Sequence, residues 1–350
     1  MKSWKYLLMA MTVMVSAVGF TACDDDDESD NNYTRYQKSV DQTVKATQSQ
    51  SGNSKAILLV AFGSTWQQAF ETFDGIVADY KSDPAFAGYD VYLAFSSAIC
   101  INRSAAGENT TPRNFYDPEH WLTACSKVGY TDIVVQSLQV IPGEEYRKVR
   151  DTYIKDFMNN KNGDVDDDYL SKVNIYLGTP LMAEEADVEN LAQVLDDIHG
   201  SIAGTGVVAF MGHGNPEGYD YYGANIRYTQ LEEKLQLIND NYFVGTVDMD
   251  GNLVEDVHAR MTDAGKTSGK VTLFPLMSIA GDHAHNDMSD PDDDESWFSL
   301  FNSWGYNAVA DVNTIKGLGE FPTVVNLWKG HTKAAMKSEP LDYYHSKNPE

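Results

Sequence analysis

The 350-residue chain has little cysteine and little positive charge. Its three cysteines are too few for a disulfide framework or a cysteine-based zinc site. With 26 Lys and Arg against 52 Asp and Glu, the formal net charge of −26 argues against binding to nucleic acid or electrostatic adhesion to an anionic membrane. A phosphate-binding Gly-x-x-x-x-Gly-Lys-Ser/Thr loop is also missing from the sequence, so no ATP requirement is expected.

The N-terminus carries the pattern of an export signal. A basic head, Met1–Lys5, precedes an apolar body, Tyr6–Ala22, that is too short to read as a membrane span. The body ends at Phe20-Thr-Ala-Cys23, which resembles a bacterial lipoprotein cleavage box. The resemblance implies a signal peptide at residues 1–22 and a lipid on Cys23, which would anchor the protein to the cell envelope at the outer membrane, on its periplasmic or surface side. A plain secretory peptide is the alternative.

Residues 23–54 have the composition of a tether. The acidic run Asp24–Glu28 is followed by a stretch rich in Gln, Ser, Thr and Asn with no apolar periodicity. Such a segment cannot bury a core, and we predict that it is disordered. The acidic run is either a solvated leader or a sorting signal for surface export.

From Lys55 onward, short apolar runs alternate with amphipathic stretches of ten to twenty residues, which is typical of βα repeats around a parallel sheet. We therefore predict an α/β fold. The eight predicted strands are Ala56–Phe62, Asp90–Phe95, Asp132–Val140, Lys172–Leu177, Gly206–Met211, Tyr242–Val247, Lys270–Met277 and Asn307–Val312.

The two halves of this region resemble each other. Val60–Gly63 matches Val208–Gly212 with one residue inserted, and Ile133–Glu145 runs against Val271–His283, so that Glu145 faces His283. This internal duplication predicts an N-terminal lobe at 55–199, a C-terminal lobe at 200–335 and a tail at 336–350. The carboxyl edges of the two sheets would face a cleft, and a helix over Ala183–His199 would precede the link between the lobes.

Of the eight histidines, only His213, His283 and His285 follow a glycine that ends a predicted strand. The intervening strand delivers Asp248 to the same edge, where open α/β sheets bind ligands. Two imidazoles and one carboxylate suit a divalent transition metal with open positions, such as Co²⁺, Ni²⁺, Fe²⁺ or Zn²⁺. The alternative is that these histidines only satisfy their structural neighbours.

The motifs around these residues resemble those of the anaerobic sirohydrochlorin cobaltochelatases. They are Val60–Ser64, Val135–Leu138 with Pro142–Tyr146, Met211–Gly214, Val244–Asp248, Pro275–Ala284 with Asn286–Met288, and Gly317–Glu320. The resemblance implies a class II chelatase with two flavodoxin-like, Rossmann-type lobes around a tetrapyrrole cleft. It further implies that His213 is both proton acceptor and metal ligand, and that Asp248 and His283 complete the Co²⁺ site, with Ni²⁺ or Fe²⁺ as alternative metals.

Three features depart from the family pattern. Asp248 stands where a Glu is usual, with Asp250 nearby as a substitute, and Gln139 stands where many relatives carry His. The third departure is the export signal. It leaves open a non-catalytic surface lipoprotein that binds haem, a corrinoid or a metal for uptake, or a metal-dependent hydrolase with the same residues. A homo-oligomer is also left open, and five cations could bind substrate carboxylates: Arg103, Arg113, Arg147, Lys148 and Arg227.

Overall fold

A computed structural model describes residues 38–47, 52–108 and 110–342. The predicted signal peptide, Cys23, most of the tether and residues 343–350 of the tail lie outside the described residues. Within the tether, residues 38–47 form a helix with Val40 fully buried, and Tyr116 Oη donates to Gln42 Oε1 at 2.7 Å, so the prediction of disorder is wrong for this part. Those described from Val40 onward belong to one compact unit. In the described ranges, no helix combines the length and apolar character needed to cross a bilayer.

The first sheet has four parallel strands in the order β2-β1-β3-β4. Its central strand β1 is inaccessible to solvent from Ala56 to Val60, because helices cover both faces of a parallel sheet. That double burial explains why the strand is an uninterrupted apolar run. The strands are β1 Lys55–Ala61, β2 Tyr89–Phe95, β3 Asp132–Ser137 and β4 Asn174–Gly178.

The second sheet repeats this arrangement in the order β6-β5-β7-β8, again with every pair parallel. Its strands are β5 Val207–Gly212, β6 Tyr242–Thr246, β7 Gly269–Pro275 and β8 Tyr306–Val309. All eight predicted strands are confirmed, and with them the α/β class with two parallel sheets. Three strands end two or three residues earlier than predicted, β3 at Ser137 rather than Val140, β7 at Pro275 rather than Met277 and β8 at Val309 rather than Val312.

Local signals fix the helix ends. For example, α3 begins where the Asp117 side chain accepts a hydrogen bond from His120 N–H ahead of Pro118, and it ends at Gly129 with φ of 89°. The helices are α1 Gln67–Ser82, α2 Ala98–Ala106, α3 Pro118–Val128, α4 Glu144–Lys148, α5 Lys155–Met158, α6 Asp167–Leu170, α7 Glu185–Ala203, α8 Ile226–Ile238, α9 Val254–Asp263, α10 Trp297–Ser303 and α11 Pro322–Ala335. A π-helical turn, Val149–Ile154, joins α4 to α5, and a second occupies Ala284–Met288.

Equivalent backbone hydrogen bonds show how the two sheets correspond. Leu138 N–H donates to Val60 O at 2.8 Å, and Leu276 N–H donates to Met211 O at 2.8 Å. Ser97 N–H donates to Phe62 O at 3.0 Å, where its counterpart is the bond from Asp248 N–H to His213 O at 2.9 Å. The matched Leu138 and Leu276 are thus confirmed, but the one-residue insertion is wrong, because Gly63 corresponds to Gly214 rather than to Gly212.

The packing of two long helices crosses the predicted lobe boundary. Helix α7, placed by sequence in the N-terminal lobe, packs on β5 and α8, while α11 packs on β3 and β4. Trp328 of α11 is fully buried in a core that also includes side chains of both sheets. Helix α7 also extends to Ala203, beyond the predicted end at His199. The boundary along the chain stays a prediction, but in space the lobes exchange helices.

Cys100 and Cys125 are both free thiols. Cys125 is completely buried, and that burial raises its pKa. The sequence leaves open whether these two cysteines pair in an oxidising compartment or stay as thiols, and in the structure they are unpaired.

Candidate active site

Three neighbouring strands of the second sheet deliver the predicted site residues to one edge. His213 directly follows β5, Asp248 comes two residues after β6, and His283 lies on the segment that follows β7. Because β5 lies between β6 and β7, the carboxyl ends of these strands are adjacent. The sequence prediction that the three side chains share this edge therefore agrees with the topology.

The His213 ring is held in one tautomer by the backbone. Its Nδ1 lies 2.7 Å from the carbonyl oxygen of Gly214, which can only accept, so Nδ1 carries the proton and Nε2 offers a lone pair. Gly214 has φ of +78°, and a Cβ built there would lie 2.9 Å from Cβ of Met249. The turn that presents the histidine therefore requires glycine.

His213 is suited to accept a proton. Burial in the protein and the neighbouring His283 ring lower its pKa, against opposing effects of Asp248, the Gly214 carbonyl and Glu145. The side chain nevertheless keeps 49% of its surface accessible. A lowered pKa makes the imidazole neutral near pH 7, with its Nε2 lone pair available.

His283 faces His213 but has the opposite electrostatic bias. Burial lowers the pKa of His283, but the hydrogen bond from its Nδ1 to Asp287 Oδ2 at 2.6 Å and the charges of Asp287, Asp248 and Asp282 outweigh this and raise it above 6.5. The two imidazole centroids are 4.8 Å apart and nearly perpendicular, at 83°. A carboxylate on Nδ1 is the usual outer partner of a metal-binding histidine, since it orients the ring and increases the basicity of Nε2.

Asp248 lies close to His213, but the two side chains and His283 are not arranged as a complete set of metal ligands. Its Oδ2 lies 3.8 Å from Nδ1 of His213, on the side of the ring that already donates to Gly214. Across residues 38–47, 52–108 and 110–342, no three His, Cys, Asp or Glu side chains form a group that could hold a metal ion. The ligand set of His213, Asp248 and His283 stays a prediction, and its closure needs side-chain movement.

The other polar residues considered in the sequence have different surroundings. Gln139 accepts a hydrogen bond from Ser137 Oγ, and its buried Nε2 has no partner among the described residues. Asp250 is exposed on the loop after β6. His285 stacks on Trp66 of the opposite lobe, with ring centroids 3.8 Å apart, so it is an interlobe contact rather than part of the facing imidazole pair.

This site also includes three residues to which the sequence patterns assign no role. Asp287 orients His283 and could have been found from its spacing, four residues on along a helical turn. Glu145 raises the pKa of His213 from the other lobe, and only its alignment with His283 pointed to it. Trp66 had no signal, because its contacts with Asp282 and His285 join segments more than two hundred residues apart.

The facing edge of the first sheet has a different chemical character. Phe62, the counterpart of His213, is 48% exposed at the end of β1, and Ile99 after β2 is 44% exposed. Ser97 is the counterpart of Asp248, and Glu145 accepts a hydrogen bond from Ser96 Oγ at 2.8 Å. One edge is therefore rich in imidazole and carboxylate, and the opposite edge combines two exposed apolar side chains with hydroxyl groups and the Glu145 carboxylate.

Two of the five candidate cations lie beside the cleft. The Arg147 guanidinium stacks 4.2 Å over the ring of Tyr221, and Lys148 Nζ donates to Ser96 O at 2.8 Å. Both line a hollow of about 220 Å³ that Glu144 and Asp151 also line, and Arg147 Nε lies 3.8 Å from Asp151 Oδ2. The other three make contacts elsewhere: Arg113 with Asp74, Arg103 with Glu108, and Arg227 with the Ala183 carbonyl.

Known proteins share this architecture. Residues 55–337 match the family model described as Cobalt chelatase (CbiK). The chain is 31% identical over 287 residues to the sirohydrochlorin cobaltochelatase of Salmonella typhimurium, covering 81% of this chain and 96% of that protein. It is 30% identical over 288 residues to the sirohydrochlorin cobaltochelatase CbiKC of Nitratidesulfovibrio vulgaris, covering 81% and 91%.

A solved structure agrees on the fold. SirB from Bacillus subtilis with Fe³⁺ superposes with a TM-score of 0.53 at 16% identity, covering 81% of this chain and 96% of SirB. The two parallel four-stranded sheets have the class II chelatase fold. Within that class, the match over residues 55–337 shows that the chain belongs to the CbiK cobalt chelatase family.

Proposed function

We propose that the protein inserts Co²⁺ into sirohydrochlorin or a close relative, without ATP, and that His213 accepts a pyrrole proton. The observation that carries the proposal is the His213 ring, whose Nδ1 is committed to Gly214 O at 2.7 Å and whose pKa is lowered by burial. Family membership supports the reaction, since two relatives at 31% and 30% identity are named sirohydrochlorin cobaltochelatases.

Metal insertion requires two pyrrole N–H protons to leave while Co²⁺ exchanges its ligands for ring nitrogens. A neutral imidazole can accept a proton at Nε2 near pH 7. His213 and His283 each use Nδ1 in a hydrogen bond, to Gly214 and Asp287, so Nε2 is the remaining ring nitrogen on both. Such a pair, with Asp248 nearby, would bind the substrate metal without enclosing it. As the metal leaves for the macrocycle, the freed Nε2 of His213 can accept one pyrrole proton, and the second proton passes to solvent.

The edge of the first sheet suits the other substrate. A tetrapyrrole has flat apolar faces and carboxylates at its rim. Phe62 and Ile99 offer exposed apolar surface, at 48% and 44%, and Arg147 and Lys148 offer cations close by. Covering the apolar side chains with the macrocycle would be favourable by the hydrophobic effect. The site therefore has a metal-binding side and a macrocycle-binding side.

The test is metal insertion by purified protein, followed by absorption spectroscopy with sirohydrochlorin and Co²⁺. We expect turnover above the nonenzymatic rate, and loss of at least two orders of magnitude in kcat for His213→Ala. His258→Ala is the matched control, since His258 stacks on Trp304 away from this edge, and it should keep full activity. Tetrapyrrole binding with a shifted Soret band but no metallated product would instead support the non-catalytic uptake lipoprotein.

We further propose that the protein works at the cell envelope, anchored by a lipid on Cys23. The sequence Phe20-Thr-Ala-Cys23 after an apolar segment supports this. Metabolic labelling with a radioactive fatty acid should mark the wild type and not Cys23→Ser. Equal labelling of both would contradict the anchor and leave the proposed reaction unaffected.

A further inference from the structure

Trp66 of the N-terminal lobe contacts the segment that carries His283. Its indole stacks on the His285 imidazole with ring centroids 3.8 Å apart and planes only 9° apart. The indole N–H also donates to Asp282 Oδ1. The two residues that Trp66 contacts lie on either side of His283 in the chain, one residue before it and two residues after it.

Trp66 is itself held in place by the start of α1. Its backbone N–H donates to Ser64 Oγ at 3.2 Å, and its carbonyl accepts from Phe70 N–H at 3.2 Å in the first turn of the helix. The indole therefore projects from a fixed point of the first lobe. Because α1 is a sixteen-residue helix packed on the core, Trp66 is a rigid support rather than a loop side chain.

The His283 segment is held within the second lobe by the fully buried Ala280, Ala284 and Met288, and Ser289 Oγ donates to the Ala284 carbonyl at 2.8 Å. Trp66 adds a contact from the first lobe, next to His283 itself. His285 Nε2 is buried and has no partner in the described part of the chain, so the stack with Trp66, and not a bond from that nitrogen, positions the ring. Ser278 Oγ donates to the Leu138 carbonyl of the first lobe at the beginning of the segment. Asp287 orients the His283 ring from within the same segment and cannot fix it relative to the first lobe.

We propose that Trp66 is a positioning residue for the substrate metal, setting His283 at its distance from His213. The inference rests on the proposed function, since it assigns a second lobe to the same metal site. Loss of the indole would remove the first lobe's contacts with the two residues that flank His283, so the 4.8 Å separation of the His213 and His283 rings would be held less firmly. A pair of ligands held in place binds a metal more tightly than a mobile pair, because less conformational freedom is lost on binding.

The test uses Co²⁺ alone, followed by calorimetry and by the visible d–d absorption of the bound ion. We expect Co²⁺ binding about tenfold weaker in Trp66→Ala, with a changed d–d spectrum that reports a changed ligand set. Trp66→Phe keeps an aromatic face for His285 and removes only the N–H donor, so its loss should be smaller, about threefold. Should Trp66→Ala fail to fold, the Phe variant still tests the inference.

Trp304→Phe is the matched control. Trp304 makes the same kind of stack with His258, at 4.1 Å and 6°, in the second lobe away from the site, so its replacement should leave Co²⁺ affinity and spectrum unchanged. Wild-type affinity and spectrum in both Trp66 variants would overturn the inference alone. Absence of Co²⁺ binding by the wild type would contradict the proposed metal site instead.

Discussion

Asp287 provides a sharp test of the metal-binding edge. The variant Asp287→Asn has nearly the same shape, and its amide oxygen can still accept the hydrogen bond from His283 Nδ1, so only the charge is removed. At the observed 2.6 Å, two unit charges interact by about 1.6 kcal/mol in a water-like dielectric. Side-chain exposures of 37% and 45% place this pair near that limit rather than near the larger values of a dry interior.

We therefore expect Co²⁺ binding to weaken about tenfold in Asp287→Asn at pH 8, at the low end of the usual effect of outer-sphere carboxylates. The difference should shrink as pH falls. Asp287 helps to raise the pKa of His283 above 6.5, so in the wild type protons compete with the metal at a higher pH than in the variant. The assay is Co²⁺ calorimetry at several pH values between 6 and 8. A loss of equal size at every pH, or none at all, would refute the argument.

Three further predictions concern the cleft, the core and the thiols. Phe62→Ala should raise KM for the tetrapyrrole roughly tenfold in steady-state kinetics, because covering half a phenylalanine contributes about 1.4 kcal/mol. Leu237→Ala, at an 83% exposed side chain, should not change KM. Burial lowers the pKa of His199 to about 4, so the unfolded chain takes up its proton first and the stability contributed by this residue falls by about 2 kcal/mol from pH 7 to pH 5. Urea titrations should show that His199→Leu loses this dependence, and an unchanged pH dependence would contradict the assignment. Cys125 should resist thiol reagents in the folded protein and react only after denaturation, since it is fully buried, and rapid labelling of the native protein would contradict this.

The strands and the edge they share were predictable because their signals are local. A strand covered on both faces must be an apolar run, and residues that directly follow such runs, like His213, fall at the carboxyl edge whatever the rest of the chain does. The exact duplication was less certain. The sequence around Val60 is similar to that around Val208, but the backbone hydrogen bonds show that Val60 corresponds to Met211. The pairing with neighbouring strands, rather than sequence similarity, decides which residues of the two sheets are equivalent.

The contacts between distant segments were not predictable. An amphipathic pattern indicates that α11 is a helix but not that its Trp328 is buried against the first sheet rather than the second. In the sequence, Trp66 is an aromatic residue just before a predicted helix, and the residues around it do not indicate that Asp282 and His285 are its partners. Sequence patterns report which side of an element is buried, and the partner is chosen by the tertiary fold.

The exchange of α7 and α11 between the sheets makes the two repeats interdependent. A fragment that stops at Gly206 would lack α11, and the ion pair between Lys329 and Asp79 at 2.5 Å would be lost together with the apolar cover of β3 and β4. Neither half therefore carries all of the helices that cover its own sheet. We expect separately expressed halves to become soluble only when they are mixed, because each half supplies a helix that covers the other half's sheet.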